Sequence, residues 1–288
     1  MSAHTDRFIP HLEQVVGERH PDSSPGALQD TADYLRAEFA RLGLQTNSHR
    51  FEAWGGIYEN LIATVPHGGG RSGPPLILAA HYDTVIGSPG ADDNASALAV
   101  LLDVARQVVG ARLHRPVRFV AFCLEEENLL GSRAYAAHLT ATQQSVLGAI
   151  VLECVGFARD EEGSQQIPPG VPVAVPTVGN FLAVIGNQNS QALTEAVDRA
   201  MRLHLPVVPL VVPGNGELLP DTRRSDHASF WEQGIPAVML TDTANFRNPH
   251  YHQPTDTLDT LNLDFMAAVA DAVRAAVMGL AGPEEGSR

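Results

Sequence analysis

Basic residues are scarce in this sequence. Its 288 residues include 19 Lys plus Arg against 33 Asp plus Glu, which gives a formal net charge of -14 at pH 7. Nucleic acids and anionic membrane surfaces attract proteins that carry an excess of positive charge. The composition therefore predicts no nucleic-acid partner and argues against an anionic membrane surface.

Long apolar runs and cysteines are lacking as well. No apolar run is long enough for a membrane-spanning helix, and the opening segment MSAHTDRFIPHLEQVV has no basic stretch leading into an apolar one, as a secretory signal would. The two cysteines, Cys123 and Cys154, are too few for a disulfide framework, and both lie in apolar runs, where buried free thiols are typical. We expect a cytoplasmic protein with no membrane partner.

The apolar residues, 44% of the chain, are enough for a substantial core. They recur at helical spacing over residues 27–44, 95–110, 132–139, 190–204 and 263–280. Short apolar or alternating runs lie between these patterns: NLIATV, PPLILAAHYDTV, PVRFVAFCLE, GAIVLECVGF and IPAVMLTD. This alternation predicts an α/β fold with a mostly parallel, mixed central β-sheet sandwiched by helices.

The chain shows no internal repeat and no long linker, so we predict a single domain over residues 1–288, with a polar tail at 281–288. Two Pro/Gly-rich stretches, residues 161–180 and 207–226, are predicted to be functional loops. In open α/β sheets, loops beyond the carboxyl ends of the strands line the ligand crevice.

Polar side chains that bind metals follow or end several of the predicted strands. The residues concerned are His81, Asp83, Glu125, Glu126, Glu153 and, after the last apolar run, His252. Each motif alone has an ordinary explanation, since HxD is common in solvated turns and Glu pairs often open helices. Their shared placement at strand ends indicates one common site.

Glu153 is the most informative of these residues, because it stands inside the apolar run GAIVLECVGF. A carboxylate in a buried strand is protonated, paired or bound to a cation. With few Lys and Arg nearby, a metal is the simplest counter-charge. Imidazole and carboxylate ligands suit Zn²⁺, with Mn²⁺ or Co²⁺ as substitutes, and the number of donors is sufficient for two metal ions.

Six segments occur in one order over residues 81–257: HYDT, GADDNAS, EEENLLGS, VLECVG, SDHASFWEQGIPA and YHQPTDT. Together they resemble the co-catalytic zinc aminopeptidases of peptidase clan MH. This group contains the bacterial leucyl aminopeptidases, and its relatives include glutamate carboxypeptidase II and the glutaminyl cyclases. The resemblance implies a zinc-peptidase fold of the phosphorylase/hydrolase type, two zinc ions per chain, and peptide substrates with a free N-terminus. The first eighty residues fit the family only loosely.

The resemblance also implies roles for individual residues. The zinc ligands would be His81, Asp93 as the bridging carboxylate, Glu126, Glu153 and His252. Glu125 would be the general base, and Glu127 would point to solvent or to the loop. Asp83 would fix the tautomer of His81, and the peptide bond between Asp93 and Asn94 is expected to be cis.

Two positions depart from the family pattern: Glu153 stands where better-known members have aspartate, and Asn128 replaces a usual glycine. Tyr251 matches a tyrosine that in some members polarises the scissile carbonyl, although a packing role is an equal alternative. Asp226 and His227 are expected behind the ligands or at the substrate rim. His250 is expected at the rim.

These features predict a zinc-dependent metallo-aminopeptidase. A glutaminyl cyclase-like aminoacyltransferase with one zinc and a catalytically inactive, metal-stabilised binding protein are the alternatives, and a dipeptidase or carboxypeptidase is left open. A serine hydrolase is disfavoured because the chain has no G-x-S-x-G motif. The sequence does not predict the oligomeric state.

Overall fold

The computed structural model describes residues 5–66 and 73–282, which form a mixed β-sheet covered by helices on both faces. The strands are β1 Gln45–Ala53, β2 Gly56–Val65, β3 Leu76–His81, β4 Val117–Phe122, β5 Gly148–Glu153, β6 Leu182–Asn187, β7 Val207–Val212 and β8 Ala237–Thr241. The α-helices are α1 Ile9–Val15, α2 Pro25–Arg41, α3 Ala97–Val108, α4 Leu130–Ala141, α5 Gln191–Met201, α6 His227–Glu232 and α7 Leu263–Ala281.

The strands are arranged in the order β1-β2-β4-β3-β5-β8-β6-β7. The central strands β4, β3, β5 and β8 run parallel to one another, whereas the β1–β2, β2–β4 and β6–β8 pairs are antiparallel. Every residue of β3, β5, β6 and β8 is buried, as expected for strands covered on both faces. The predicted α/β class and the mostly parallel mixed sheet are confirmed.

Two apolar layers hold this sheet between its helices. On one face, alternate strand residues such as Leu76 and Leu78 pack with α1, α2, α3, α5 and α7. On the other face, Ile77 and Ala79 pack with α4 and α6. No helix in the described ranges is both long and apolar enough to cross a bilayer.

The sequence patterns located most of the core elements but misassigned others. Residues 207–212, predicted to be part of a loop, form strand β7, and the observed loop begins after it. Pro209 lies in this strand, which is at the sheet edge, where the lack of a proline N–H is tolerated. The elements β1, β6, α1 and α6 were not predicted. The predicted tail is described only at its first residues, since 283–288 lie outside the described ranges.

Candidate metal centre

The candidate site lies at the carboxyl ends of three adjacent parallel strands, β4, β3 and β5. His81 is the last residue of β3 and Glu153 the last of β5, while Glu125 and Glu126 follow β4 closely. Because parallel strands end at the same sheet edge, these side chains converge. The loop before α3 adds Asp93, and the loop before α7 adds His252.

The Asp93 carboxylate lies between two groups of potential ligands. Its Oδ1 is 3.1 Å from Nε2 of His81, and its Oδ2 is 3.0 Å from Nε2 of His252. Glu153 Oε2 lies 3.5 Å from His81 Nε2, and Glu126 Oε2 lies 3.4 Å from His252 Nε2. The structure therefore brings all five predicted ligands into two groups that share Asp93, each with one imidazole and one glutamate.

The facing atoms of this cluster form no hydrogen bond with any residue of the described ranges. They are Nε2 of His81, both Asp93 oxygens, Oε1 of Glu126 and Nε2 of His252, and all are buried. Buried polar atoms are normally paired, so these atoms point to a cation as their common partner. Nitrogen and carboxylate oxygen donors without a thiolate fit Zn²⁺. The Cys154 thiol is not part of either group and instead donates to Oε1 of Glu153 at 3.4 Å.

The pKa values of the side chains in this cluster reflect its excess of carboxylates over imidazoles. Burial, and then the neighbouring Asp93, raise the pKa of Glu126 to about 7. Although burial lowers the pKa of His252, its contacts with Asp93 and Glu126 raise it to about 10. A divalent cation bound by these side chains would displace their protons.

Glu125 belongs to neither group around Asp93, although its carboxylate lies close enough to His81 and Glu126 for the three to share a metal ion. It is 6% exposed, and its Oε2 is 3.9 Å from Nε2 of His81. Burial, together with the charges of Glu153 and Glu126, raises the pKa of Glu125 well above its usual value. A carboxyl group with a raised pKa next to a metal site has the character of a proton acceptor and donor.

Asp83 has a different contact from the predicted one. Its Oδ1 lies 3.7 Å from Nδ1 of His81, too far for a hydrogen bond, whereas its backbone carbonyl oxygen lies 3.2 Å from that nitrogen. The carboxylate instead accepts the backbone N–H groups of Glu125 at 3.0 Å and Glu126 at 3.1 Å. The carbonyl therefore orients the imidazole, and the carboxylate holds the backbone of the two glutamates.

A second carboxylate, not identified from the sequence, holds the backbone at Asp93. Asp256 is fully buried and accepts the N–H groups of Asp92 at 2.9 Å and Asp93 at 3.2 Å. The peptide bond between Asp93 and Asn94 is cis, as predicted. The carboxylate of Asp92 accepts hydrogen bonds from Gly156 N–H and the Asn248 amide, which agrees with the choice of Asp93 as the ligand.

Glu127, the third glutamate of the run, points away from the cluster. Its Oε1 lies 3.1 Å from Nε2 of His20. Because Nδ1 of His20 accepts the Asp22 N–H, Nε2 carries the hydrogen and donates it to Glu127. Glu127 thus connects the chain before α2 to the glutamate loop. The next residue, Asn128, has a φ of 62°, a left-handed conformation that asparagine adopts readily in place of glycine.

Besides the candidate ligand Glu153, two further predicted residues, Tyr251 and Asp226, lie at the site, and His227 and His250 lie apart from it. Glu153, at 7% exposure, accepts a hydrogen bond from Ser225 Oγ at 2.7 Å. The Tyr251 ring stacks on His252 with 3.8 Å between the centroids. Asp226 is fully buried with no hydrogen-bond partner for either oxygen, and burial raises its pKa to about 7. Imidazole nitrogens of His227 and His250 contact Thr222 O and Thr255 Oγ1, respectively, outside the cluster.

A cavity of about 360 Å³ adjoins the candidate metal centre, with Glu153 and Tyr251 in its lining. Its floor is the sheet face of β6, β7 and β8, including Ile185, Leu210 and Met239. Its other walls come from residues 168–175 and 218–224, which belong to the two predicted Pro/Gly-rich loops. An apolar recess beside a polar cluster is the usual form of a small-ligand site.

Comparisons with known proteins identify a family of similar chains. The model of peptidase family M28 matches residues 60–277. The Escherichia coli K12 protein YfbL is 34% identical over 281 residues, covering 93% of this chain and 85% of YfbL. Leucine aminopeptidase 1 of Arthroderma otae is 27% identical over 245 residues, and the match covers 78% of this chain but 58% of that longer protein.

Solved structures show the same fold. The LapA aminopeptidase of Legionella pneumophila superposes with a TM-score of 0.74 at 22% identity over 98% of this chain and 73% of that chain. BSAP, a zinc aminopeptidase from Bacillus subtilis, gives a TM-score of 0.62 at 25% identity over 79% of this chain and 51% of its own. A glutaminyl cyclase from Macrostomum lignano gives 0.71 at 20% identity over 96% of this chain and 89% of its own.

Proposed function

Because the chain belongs to peptidase family M28, we propose that it is a zinc-dependent aminopeptidase that hydrolyses N-terminal peptide bonds. The observation that carries the proposal is the Asp93 carboxylate, which faces His81 on one side and His252 on the other while making no hydrogen bond to a described residue. Carboxylates shared between two metal ions have this arrangement. The relatives named as aminopeptidases support the reaction type.

In this proposal two zinc ions are held by His81, Asp93 and Glu153 on one side and by Asp93, Glu126 and His252 on the other. When bound, zinc ions lower the pKa of water toward neutrality and polarise a carbonyl group. The residues of the chain then have to hold the substrate, move the proton and stabilise the charge that develops on the carbonyl oxygen.

Glu125 is the proposed general base. Its carboxylate would accept the proton of the attacking water and return it to the amine of the leaving fragment. The backbone of Glu125 is held by Asp83, while its side chain makes no hydrogen bond to another described residue, so the carboxylate is available for this transfer. A positioned base of this kind contributes roughly 10² to 10⁴ in rate.

In this proposal the N-terminal residue of the substrate is recognised by charge and by shape. The free α-ammonium would be received by the carboxylates of Glu125 and Glu153, and Tyr251 would donate a hydrogen bond to the scissile carbonyl oxygen. The adjoining cavity, lined by aliphatic residues such as Ile185, Leu210 and Met239, would take an apolar N-terminal side chain. The substrate class is therefore peptides with a free N-terminus and a bulky apolar first residue.

The decisive experiment compares Glu125→Gln with Glu127→Gln in zinc-loaded protein. Glu125→Gln should lower kcat by about 10² to 10⁴ on a leucyl substrate while both zinc ions are retained. Glu127→Gln, a change of the same kind two residues away, should keep nearly full activity because its side chain contacts His20. The substrate with an acetylated amine should not be cleaved. A Glu125→Gln variant with near wild-type kcat would refute the assignment.

The glutaminyl cyclase alternative differs from the proposed aminopeptidase in the number of zinc ions it needs and in the product it releases. It would need only Asp93, Glu126 and His252, whereas the described residues also place His81 and Glu153 on the other side of Asp93. One zinc per active chain with release of pyroglutamyl product would favour this alternative. An inactive binding protein would retain zinc and show no turnover on either substrate.

A further inference from the structure

Arg224 lies in the loop between β7 and α6, at the wall of the cavity that Tyr251 also lines. Its Nη2 donates to Oη of Tyr251 at 3.0 Å, and its Nη1 donates to Oδ1 of Asn245 at 2.8 Å. The guanidinium carbon also lies 5.5 Å from the centre of the Tyr251 ring. Arg224 thus joins the loop before α6 to the loop that carries Tyr251 and His252.

This contact determines what the Tyr251 hydroxyl can do. A guanidinium has only donors, so in the Arg224 contact the tyrosine oxygen must be the acceptor. The hydroxyl hydrogen is then free to point elsewhere, and no described residue other than Arg224 forms a hydrogen bond with this hydroxyl. The cavity beside the metal ligands is the open direction for that hydrogen.

The Tyr251 ring is restrained at both ends. Its face stacks on the His252 imidazole with an interplanar angle of 17°, which ties it to a proposed zinc ligand. Its hydroxyl end is held by Arg224. A hydroxyl that accepts a hydrogen bond from a cation becomes a stronger donor, because hydrogen bonds in a chain polarise one another.

We propose that Arg224 is a positioning residue that directs the Tyr251 hydroxyl hydrogen toward the carbonyl oxygen of the substrate. This inference rests on the proposed hydrolysis, in which Tyr251 donates to that oxygen. Arg224 contacts no reacting atom itself in this scheme, and its effect is exerted through Tyr251. The neighbouring Ser225 donates to Glu153 at 2.7 Å, so residues 224–225 contact Tyr251 and one zinc ligand.

A double-mutant cycle tests the inference in the zinc-loaded protein, using a leucyl substrate with a free amine. Tyr251→Phe should lower kcat by about 100-fold, as the loss of an oxyanion donor does. Arg224→Gln should lower kcat by about tenfold with KM changed less than about twofold, since it weakens and misdirects that donor. The double variant should be no slower than Tyr251→Phe, because Arg224 then has no hydroxyl to act through.

Arg223→Gln is the matched control, since Arg223 is the adjacent arginine and contacts Glu232 outside the cavity. It should keep wild-type kcat. If the Arg224→Gln variant loses zinc, the Arg224→Lys variant is tested instead. A measurable decrease in kcat of less than about tenfold in that variant, with both zinc ions bound, supports the inference. Independent losses that multiply in the double variant, or wild-type kcat in Arg224→Gln, would overturn it. An active Tyr251→Phe would remove the role of Tyr251 but leave zinc-dependent hydrolysis intact.

Discussion

Asp256→Asn is the most informative perturbation of Asp93, the proposed bridging carboxylate, because it leaves every proposed ligand in place. The two oxygens of Asp256 accept the backbone N–H groups of Asp92 at 2.9 Å and Asp93 at 3.2 Å. Asparagine offers one oxygen, and its NH₂ group would face the second N–H donor. The change therefore removes one charge-assisted hydrogen bond, weakens the other and leaves a buried donor without an acceptor.

The size of the effect follows from these contacts. A hydrogen bond to a charged group contributes roughly 1.5–3 kcal/mol, and a buried unsatisfied donor costs roughly 1–3 kcal/mol. We expect Asp256→Asn to lower the free energy of unfolding by about 2–4 kcal/mol. Since Asp93 faces both groups of ligands, zinc affinity should fall by about 10- to 100-fold, as it does when a residue that orients a ligand is lost.

Zinc affinity can be measured by competition with a chromophoric chelator, and stability by thermal unfolding at saturating zinc. Asp259→Asn is the control, because Asp259 is exposed and its carboxylate accepts a hydrogen bond from Thr257 at 2.7 Å instead of holding the backbone at Asp93. It should leave zinc affinity unchanged. Wild-type zinc affinity in Asp256→Asn would refute the view that this carboxylate positions Asp93.

Three other outcomes are expected. Glu126→Gln should lose one zinc, whereas Glu127→Gln should keep both and lose about 0.5–1.5 kcal/mol of stability, which metal analysis and thermal unfolding would distinguish. The pKa values of Glu126, Asp226 and Asp256, about 7, and of His252, about 10, are raised above their unfolded values. These four groups outweigh the buried His227, whose pKa is lowered to about 4, so the metal-free protein should have a lower Tm at about pH 8 than at about pH 5. The opposite trend in a chelated sample would contradict this. Val173→Phe should fill part of the cavity and raise KM for leucyl substrates by about tenfold while sparing alanyl ones, and equal effects on both would argue against the cavity as the side-chain site.

The strand ends of the site could be predicted because β3 and β5 are apolar on both faces up to His81 and Glu153. In a parallel sheet, this pattern is sufficient to bring terminal side chains to one edge. The family resemblance then selected Asp93 over Asp92, and the observed hydrogen bonds of Asp92 give the physical reason for that choice.

The supporting contacts could not be predicted, because they join distant parts of the chain through the backbone. Asp256 accepts N–H groups from residues more than 160 positions earlier, and no sequence pattern distinguishes it from other loop aspartates. The Asp83 carboxylate was assigned to His81, but the fold brings it against the glutamate loop. Arg224 likewise reaches Tyr251 only after two loops meet over the sheet.

The most direct test of the central claim is the number of zinc ions per chain in the fully active protein. Zinc should be titrated into metal-free protein while activity on a leucyl substrate with a free amine is followed. Two groups of ligands that share Asp93 predict two zinc ions at full activity, and Asp93→Asn should bind neither tightly. Full activity with a single zinc, or with none above background, would contradict the account.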